Sequence, residues 1–466
     1  MSAREYDLVI IGSGPAGEKA SIEASKLHKS TAIIEKRPVQ GGVCIHTGTI
    51  PSKTLRESVM YIDGLRQRNV FGLVGGIKPN ITIRELMYRK EPIIQEELDI
   101  IQQKMARHGI EVLNGLGQIV DPNTVRITDD TGRSREVKAG VIMIATGTEP
   151  YHPPQYEFDN KFVYDSESIL GLDTIPRTMT IVGGGVIGCE YASIFAHIGV
   201  QVTIVDHRLR LLSFLDREIA DTLIYLMRKV HTNLVLGEGV DEIRVEDDQV
   251  VTTTGSGRRV VSERLLFATG RIGNTERLGL DRVGIETDER GLIKVNELYA
   301  TKIPNIYAVG DVIGFPSLAS VSADQGRLAA IHALKKGDTS CINTLLPFGI
   351  YTIPEVSMIG ETEETLSANG QDYEIGIARY FELARGKIIN DHDGMLKLIF
   401  APESRRLLGV HIVGERATEL IHIGQAVMTH GGTIDYFINT VLNYPTLSEA
   451  YKVAALDGFA RLDTRG

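Results

Sequence analysis

The sequence predicts an α/β protein in which one strand–turn–helix–strand unit occurs twice, ahead of a C-terminal α+β segment. A glycine turn of the form GxGxxG follows an apolar strand at residues 6–17 and again at 179–188. In both copies the same spacing separates the first glycine from an acid, Glu35 or Asp206, so the unit reads as an internal duplication. From about Leu346 the glycine-rich turns disappear. At 466 residues the chain exceeds one core, and a loose prior of about 150 residues per domain gives three.

In the first copy, Tyr6–Ile11 reads as a strand, Gly12-Ser13-Gly14-Pro15-Ala16-Gly17 as the turn, a helix runs to about His28, and Thr31–Glu35 is the next strand. A GxGxxG alone is weak. Here it follows a strand, opens a helix and precedes an acid at the next strand end, which is the context of a Rossmann-like dinucleotide site. Gly12, Gly14 and Gly17 let backbone N–H groups approach a pyrophosphate at the positive helix end, and Glu35 stands to accept hydrogen bonds from a ribose. Further on, Pro51 suits a helix's first turn, with Lys53 pointing back along the axis. Residues 84–108 look helical with an interruption near Pro92. Turn signals at Asp121-Pro122-Asn123 and Asp129-Asp130-Thr131-Gly132 punctuate short strands, and Val141–Gly147 reads as a buried strand ending in a small-residue turn.

The second copy runs from Thr180-Ile181-Val182 through Gly183, Gly185 and Gly188, a helix to Ile198 and the strand ending at Asp206, and closes at Ala268-Thr269-Gly270. A short apolar strand then leads to Asp311, and a helix runs from about Ala319 through Arg327. The C-terminal part reads as strands at Met395–Phe400 and Leu407–Val413 followed by a helix from Glu415 to Met428.

Composition narrows the chemistry. The 42% hydrophobic and 24% charged fractions describe a globular chain, and the 48 glycines point to tight turns and close backbone approaches. A formal charge of −10 argues against nucleic-acid and anionic-membrane partners. No apolar run approaches a membrane span, and a first strand at Tyr6 leaves no room for a signal peptide, so a cytoplasmic location is expected. Cys44, Cys189 and Cys341 are scattered, giving neither a disulfide framework nor metal-ligand spacing; reduced thiols and no metal are the expectation.

The stretch from Gly41 to Lys53, with both glycine units and the block ending at Asp311, resembles the two-dinucleotide-binding flavoprotein disulfide reductases, the family of dihydrolipoamide dehydrogenase and glutathione reductase. The resemblance covers essentially the whole chain. It implies an FAD-binding domain from residues 1–150 and 271–345, an NAD(P)-binding domain from 151–270, and a dimerisation domain from 346–466 that makes a homodimer or higher oligomer. It implies FAD near Gly12, Gly14, Gly17, Glu35, Lys36, Gly41, Gly42, Val43, Cys44, Lys53, Gly147, Asp311 and Ala319. It further implies a nicotinamide dinucleotide near Gly183, Gly185, Gly188, Asp206, Arg208 and Gly270. Lys53 is implied to sit beside flavin N5, where a positive charge stabilises a more negative ring, and to pair with Glu190. The helix at Ala319 would add its dipole, worth on the order of 1 kcal/mol.

Two departures set the expected activity. The family's second cysteine is absent, its position being Thr49, and the family's His-Pro-Thr-x-x-Glu motif reads Tyr444-Pro445-Thr446-Leu447-Ser448-Glu449. A disulfide needs two sulfurs, and tyrosine, with its ordinary pKa near 10, is a poor base at neutral pH. Both changes strike one step, the thiol relay, so the expected hydride acceptor is a second dinucleotide. Within the family, this pattern resembles the members that exchange hydride between two pyridine nucleotides, here NADPH and NAD in a ping-pong cycle through FAD. Asp206 suits the 2′-hydroxyl of NAD, whereas Arg208 and Arg210 could bind the 2′-phosphate of NADP or be solvated loop charges. An NADH-dependent diaphorase and a non-catalytic flavin-binding sensor remain alternatives, and no catalytic role follows for His46 or Cys44.

Overall fold

The computed structural model describes residues 4–66, 81–335, 341–342 and 344–463. The first unit begins β1 (Arg4–Ile11), α1 (Pro15–Lys26), β2 (Thr31–Glu35), α2 (Gly42–His46) and α3 (Thr49–Arg66). It continues with α4 (Ile83–Leu86), α5 (Lys90–Arg107), β3 (Glu111–Asn114), β4 (Leu116–Asp121), β5 (Thr124–Thr128), β6 (Ser134–Ile144) and β7 (Thr148–Pro150). The second holds β8 (Val163–Asp165), β9 (Thr178–Val182), α6 (Val186–His197), β10 (Gln201–Asp206), α7 (Arg217–Lys229), β11 (Asn233–Leu236), β12 (Val240–Glu246), β13 (Gln249–Thr254), β14 (Arg259–Ser262) and β15 (Arg264–Phe267).

The chain returns through β16 (Arg271–Gly273), β17 (Ile306–Ala308) and α8 (Ala319–Leu334). It ends with β18 (Phe348–Ile350), β19 (Val356–Gly360), α9 (Glu363–Ala368), β20 (Glu374–Arg379), α10 (Ala384–Ile389), β21 (Met395–Phe400), β22 (Leu407–Val413), α11 (Ala417–Thr429), α12 (Asp435–Asn439) and α13 (Glu449–Asp463).

The first sheet has the order β3-β2-β1-β6-β5-β4, with β17 also paired to β6. Along β1, Leu8 and Ile10 pack with Ala16, Ala20 and Leu98, while Val9 and Ile11 pack with Ile119, Val125 and Ile127. Alternate side chains therefore feed two layers, as a sheet covered on both faces requires. Because β17 joins β6 in parallel, residues 306–308 return to this sheet after the second unit is complete. The second unit is a parallel sheet in the order β11-β10-β9-β15-β8. The C-terminal part is an antiparallel sheet, β18-β19-β22-β21-β20, whose fully buried β21 and β22 explain their near-continuous apolar runs. One hydrophobic core runs through all three parts, from Leu55 and Val59 of α3 through Tyr191 and Phe195 of α6 to Ile350, Ile353 and Val356.

Three boundaries differ from the sequence pattern. Pro92 does not interrupt a helix; it sits in the first turn of α5, where its missing N–H costs no hydrogen bond, and the break falls earlier, after Leu86. The C-terminal helix starts at Ala417 rather than Glu415, because Arg416 precedes it with φ 59°, outside helical space. The helix from Ala319 runs on to Leu334.

A buried ion cluster joins the second unit to the C-terminal sheet. Lys397 of β21, with a fully buried side chain, places Nζ 2.9 and 3.1 Å from the two oxygens of Asp216, and it also meets Glu363. Asp216 caps α7 by accepting the Glu218 N–H at 3.2 Å. Burial pushes the Asp216 carboxyl up, but His411 and Lys397 beside it win and hold it below the usual range. Its stabilising contribution is therefore complete above the ordinary carboxylate pKa and is lost as pH falls through the lowered value. Lys397→Met, which strands the carboxylates, is expected to destabilise by about 3–5 kcal/mol. Calorimetry should show this at pH 7, together with a smaller further loss below about pH 4 than the parent shows.

Candidate functional site

The two glycine turns are built alike. Gly12 (φ 107°) and Gly183 (φ 110°) each lie where a Cβ would overlap a carbonyl of the neighbouring strand end, Ala145 in one unit and Ala268 in the other. A side chain at either position would part the turn from the sheet, which fixes both as glycine. Gly17 and Gly188 serve a different purpose, letting α1 and α6 press onto the carbonyls of Gly12 and Gly183.

A cavity of about 500 Å³ opens over the first sheet. Gly12, Gly14, Glu35, Lys36, Gly42, Val43, Cys44, Gly147, Asp311 and Ala319 line it, whereas Gly17, Gly41 and Lys53 do not. The N-termini of α1 and α8 both reach it, through Pro15 and Ala319. Each leaves unpaired backbone N–H groups and a partial positive charge, the arrangement that binds phosphate. Glu35 accepts from Ser13 N–H at 3.0 Å, Ser13 Oγ at 2.6 Å and Arg37 N–H at 2.9 Å, so it holds the turn as well as facing the cavity. Burial pushes the Asp311 carboxyl up, only partly offset by Arg271 and the hydroxyls of Ser322 and Thr148. A half-buried carboxyl with two long hydroxyl contacts, 3.2 and 3.5 Å, has spare capacity for a polyol. These groups fit a flavin dinucleotide.

In the cavity wall, Thr49 stands beside Cys44 at the position where a second thiol would be. Burial pushes the Cys44 thiol up, which keeps it protonated at neutral pH. All three cysteines are free. His46 bonds the Gln40 carbonyl at 2.8 Å, a backbone anchor. Lys53 Nζ lies 2.6 Å from Glu190 Oε2, joining α3 to α6 with side chains 24% and 9% exposed. Tyr444 is 73% exposed.

In the second unit Asp206 is nearly fully engaged. Its carboxylate accepts from Arg208 N–H at 2.8 Å, Arg208 Nε at 3.0 Å, Arg208 Nη2 at 2.7 Å and the Gly184 N–H. Burial would raise this carboxyl, yet the Arg208 and Gly184 bonds hold it below its usual range. Arg210 buries Nε and Nη2 without a hydrogen-bond partner among the described residues. Gly185 and Gly270 flank the same turn region, Gly270 accepting the Tyr151 N–H at 3.0 Å through its carbonyl.

Sequence reasoning missed a polar bridge between the units. Glu167 accepts from Thr47 Oγ1 and Arg271 Nη2, both at 2.9 Å, and Arg271 also bonds Thr148. The signal available was Arg271 itself, a cation directly after the Gly270 turn. Among the described residues no group of three or more metal-binding side chains occurs, and no helix is long and apolar enough to cross a membrane.

The family model for pyridine nucleotide-disulphide oxidoreductases matches residues 6–326, and the model for that family's dimerisation domain matches 346–455. A soluble pyridine nucleotide transhydrogenase of Mycobacterium bovis is 48% identical over 455 residues, covering 97% of each chain. Two solved structures are similar throughout. LpdA of Mycobacterium tuberculosis matches with a TM-score of 0.89 at 26% identity, covering 97% of this chain and 99% of its own. The HOCl-induced flavoprotein disulfide reductase RclA of Escherichia coli matches with a TM-score of 0.87 at 28% identity, with the same coverage. Matched from its first strand to its last helix, the chain belongs to the pyridine nucleotide-disulphide oxidoreductase family.

Proposed function

We propose that the protein is an FAD-dependent transhydrogenase that moves hydride between NADPH and NAD by a ping-pong route without a redox disulfide, acting as a homodimer paired through residues 346–466. One observation carries the reading: the Lys53–Glu190 pair is intact while Cys44 faces Thr49 instead of a second thiol. The transhydrogenase relative supports the same conclusion.

Bound FAD supplies a two-electron carrier that one nicotinamide can charge and another discharge. The chain's own residues bind and orient. The N-terminus of α1 and the turn at Gly12 and Gly14 take the phosphates, the N-terminus of α8 turns its dipole to the flavin ring, Glu35 takes the adenosine ribose, and Asp311 the ribityl chain. Gly41 sets the entry to α2, and Lys36, Gly42, Val43, Cys44 and Gly147 close the cavity wall. Lys53 presents an ammonium where the ring gains electron density, and Glu190 keeps it there. Gly183, Gly185, Gly188 and Gly270 shape the matching site for the nicotinamide dinucleotide.

Asp206 and Arg208 let that site take both coenzymes. Alone, the carboxylate would favour NAD and repel a 2′-phosphate, as an NADH-only diaphorase requires. Arg208 neutralises it and occupies its lone pairs, so NADP meets a compensated pair with the Arg210 guanidinium close in sequence. For NAD, rotation of the half-exposed Arg208 frees Asp206 for the ribose. The 2′-phosphate is remote from the nicotinamide, so the two couples have nearly equal potentials and cellular ratios set the direction.

Anaerobic stopped-flow tests the activity. NADPH should bleach the flavin absorbance, and later NAD should restore it with stoichiometric NADH; bleaching by NADH alone would instead mark a diaphorase. Arg208→Leu should raise KM for NADPH by about tenfold or more, the cost of an unmasked charge of about 1.4 kcal/mol, while sparing NADH. Thiol titration of the native holoenzyme should give the same count before and after treatment with a reductant, because no disulfide is present to open.

A further inference from the structure

Tyr351 lies outside both glycine units, on the first residue after β18 of the C-terminal sheet, and no motif of the sequence marks it. Yet it touches both members of the Lys53–Glu190 pair. Its backbone N–H donates to Glu190 Oε1 at 2.8 Å, the oxygen that Lys53 leaves free. Its ring lies under the Lys53 ammonium, with Nζ 4.9 Å from the centroid. That is within the roughly 6 Å over which an aromatic face attracts a cation.

The ring is itself held. Its ring lies near Thr418 across Gly349, and Thr418 gives its N–H and hydroxyl to Glu355 Oε2 at 3.0 and 2.7 Å. Glu355 in turn pairs with Arg56 at 3.2 Å, and Arg56 Nε donates to the Thr352 carbonyl at 3.1 Å. Arg56 follows Lys53 by one turn on α3, and its side chain is 3% exposed. The Ile353 N–H donates to Ser193 Oγ at 3.1 Å, one turn beyond Glu190 on α6. The loop at 351–355 thus grips both helices that carry the ion pair, at two successive turns of each.

Building on the placement of Lys53 beside the flavin, we propose that Tyr351 is a positioning residue of the redox centre: its ring and backbone fix the direction of the Lys53 charge. A lysine held by one carboxylate alone sweeps an arc about that contact. The aromatic face removes this freedom and keeps the ammonium toward the isoalloxazine ring. The C-terminal sheet thereby takes part in setting the flavin's reduction potential.

The test keeps shape and changes only the ring's charge distribution. Tyr351→Phe serves as the reference, and pentafluorophenylalanine at the same position withdraws the negative face. FAD content and circular dichroism establish that both fold. Relative to the phenylalanine form, the fluorinated form should reduce with NADPH about two- to five-fold more slowly, the range a contact of this kind supports. Its flavin midpoint potential should also move negative. In a Lys53→Met background the same exchange should change neither quantity, because the ring acts through the ammonium. Equal potentials in the two forms with Lys53 present, or an equal shift with Lys53 absent, would overturn the role of Tyr351. If Lys53→Met itself leaves the flavin potential where it was, the placement of Lys53 fails instead, which separates the two claims.

Discussion

A helix N-terminus carries unpaired N–H groups and half a positive charge, and this chain uses three helices to present such ends. Those of α1 and α8 meet at one cavity, while α6 opens the second unit. Everything else follows from holding those ends in place. Gly17 and Gly188 draw α1 and α6 against the strand turns, and Gly326 lets α8 press on the Ala16 carbonyl of α1. The sheet beneath is covered on both faces, so the helices cannot shift without opening a core.

The two units share a scaffold but treat their acids differently. Glu35 is bound by a serine and two backbone amides, neutral donors that leave its charge on display. Asp206 is bound by an arginine, which cancels its charge. One scaffold therefore presents a charged acid at its first turn and a neutralised one at its second.

Much of this was legible in the residues. Strands β2, β21 and β22 lie where the apolar runs end, because fully buried strands have little choice of composition. Boundaries failed where a single backbone angle decides them: nothing in the letters at Glu415-Arg416 announces the left-handed turn of Arg416. The Lys53–Glu190 contact was reachable only through family resemblance, since the partners are 137 residues apart. The hold of Tyr351 on that pair was out of reach altogether, because a backbone N–H exists at every residue but proline. The charges of Arg208 and Asp206 were visible side by side, but not that the fork consumes the acid's lone pairs.

The core that runs unbroken from α3 through α6 to Ile353 has a kinetic meaning. Hinging those parts away from one another would bare the shared side chains to water, so such a motion carries an activation cost that the rotation of a single surface side chain does not.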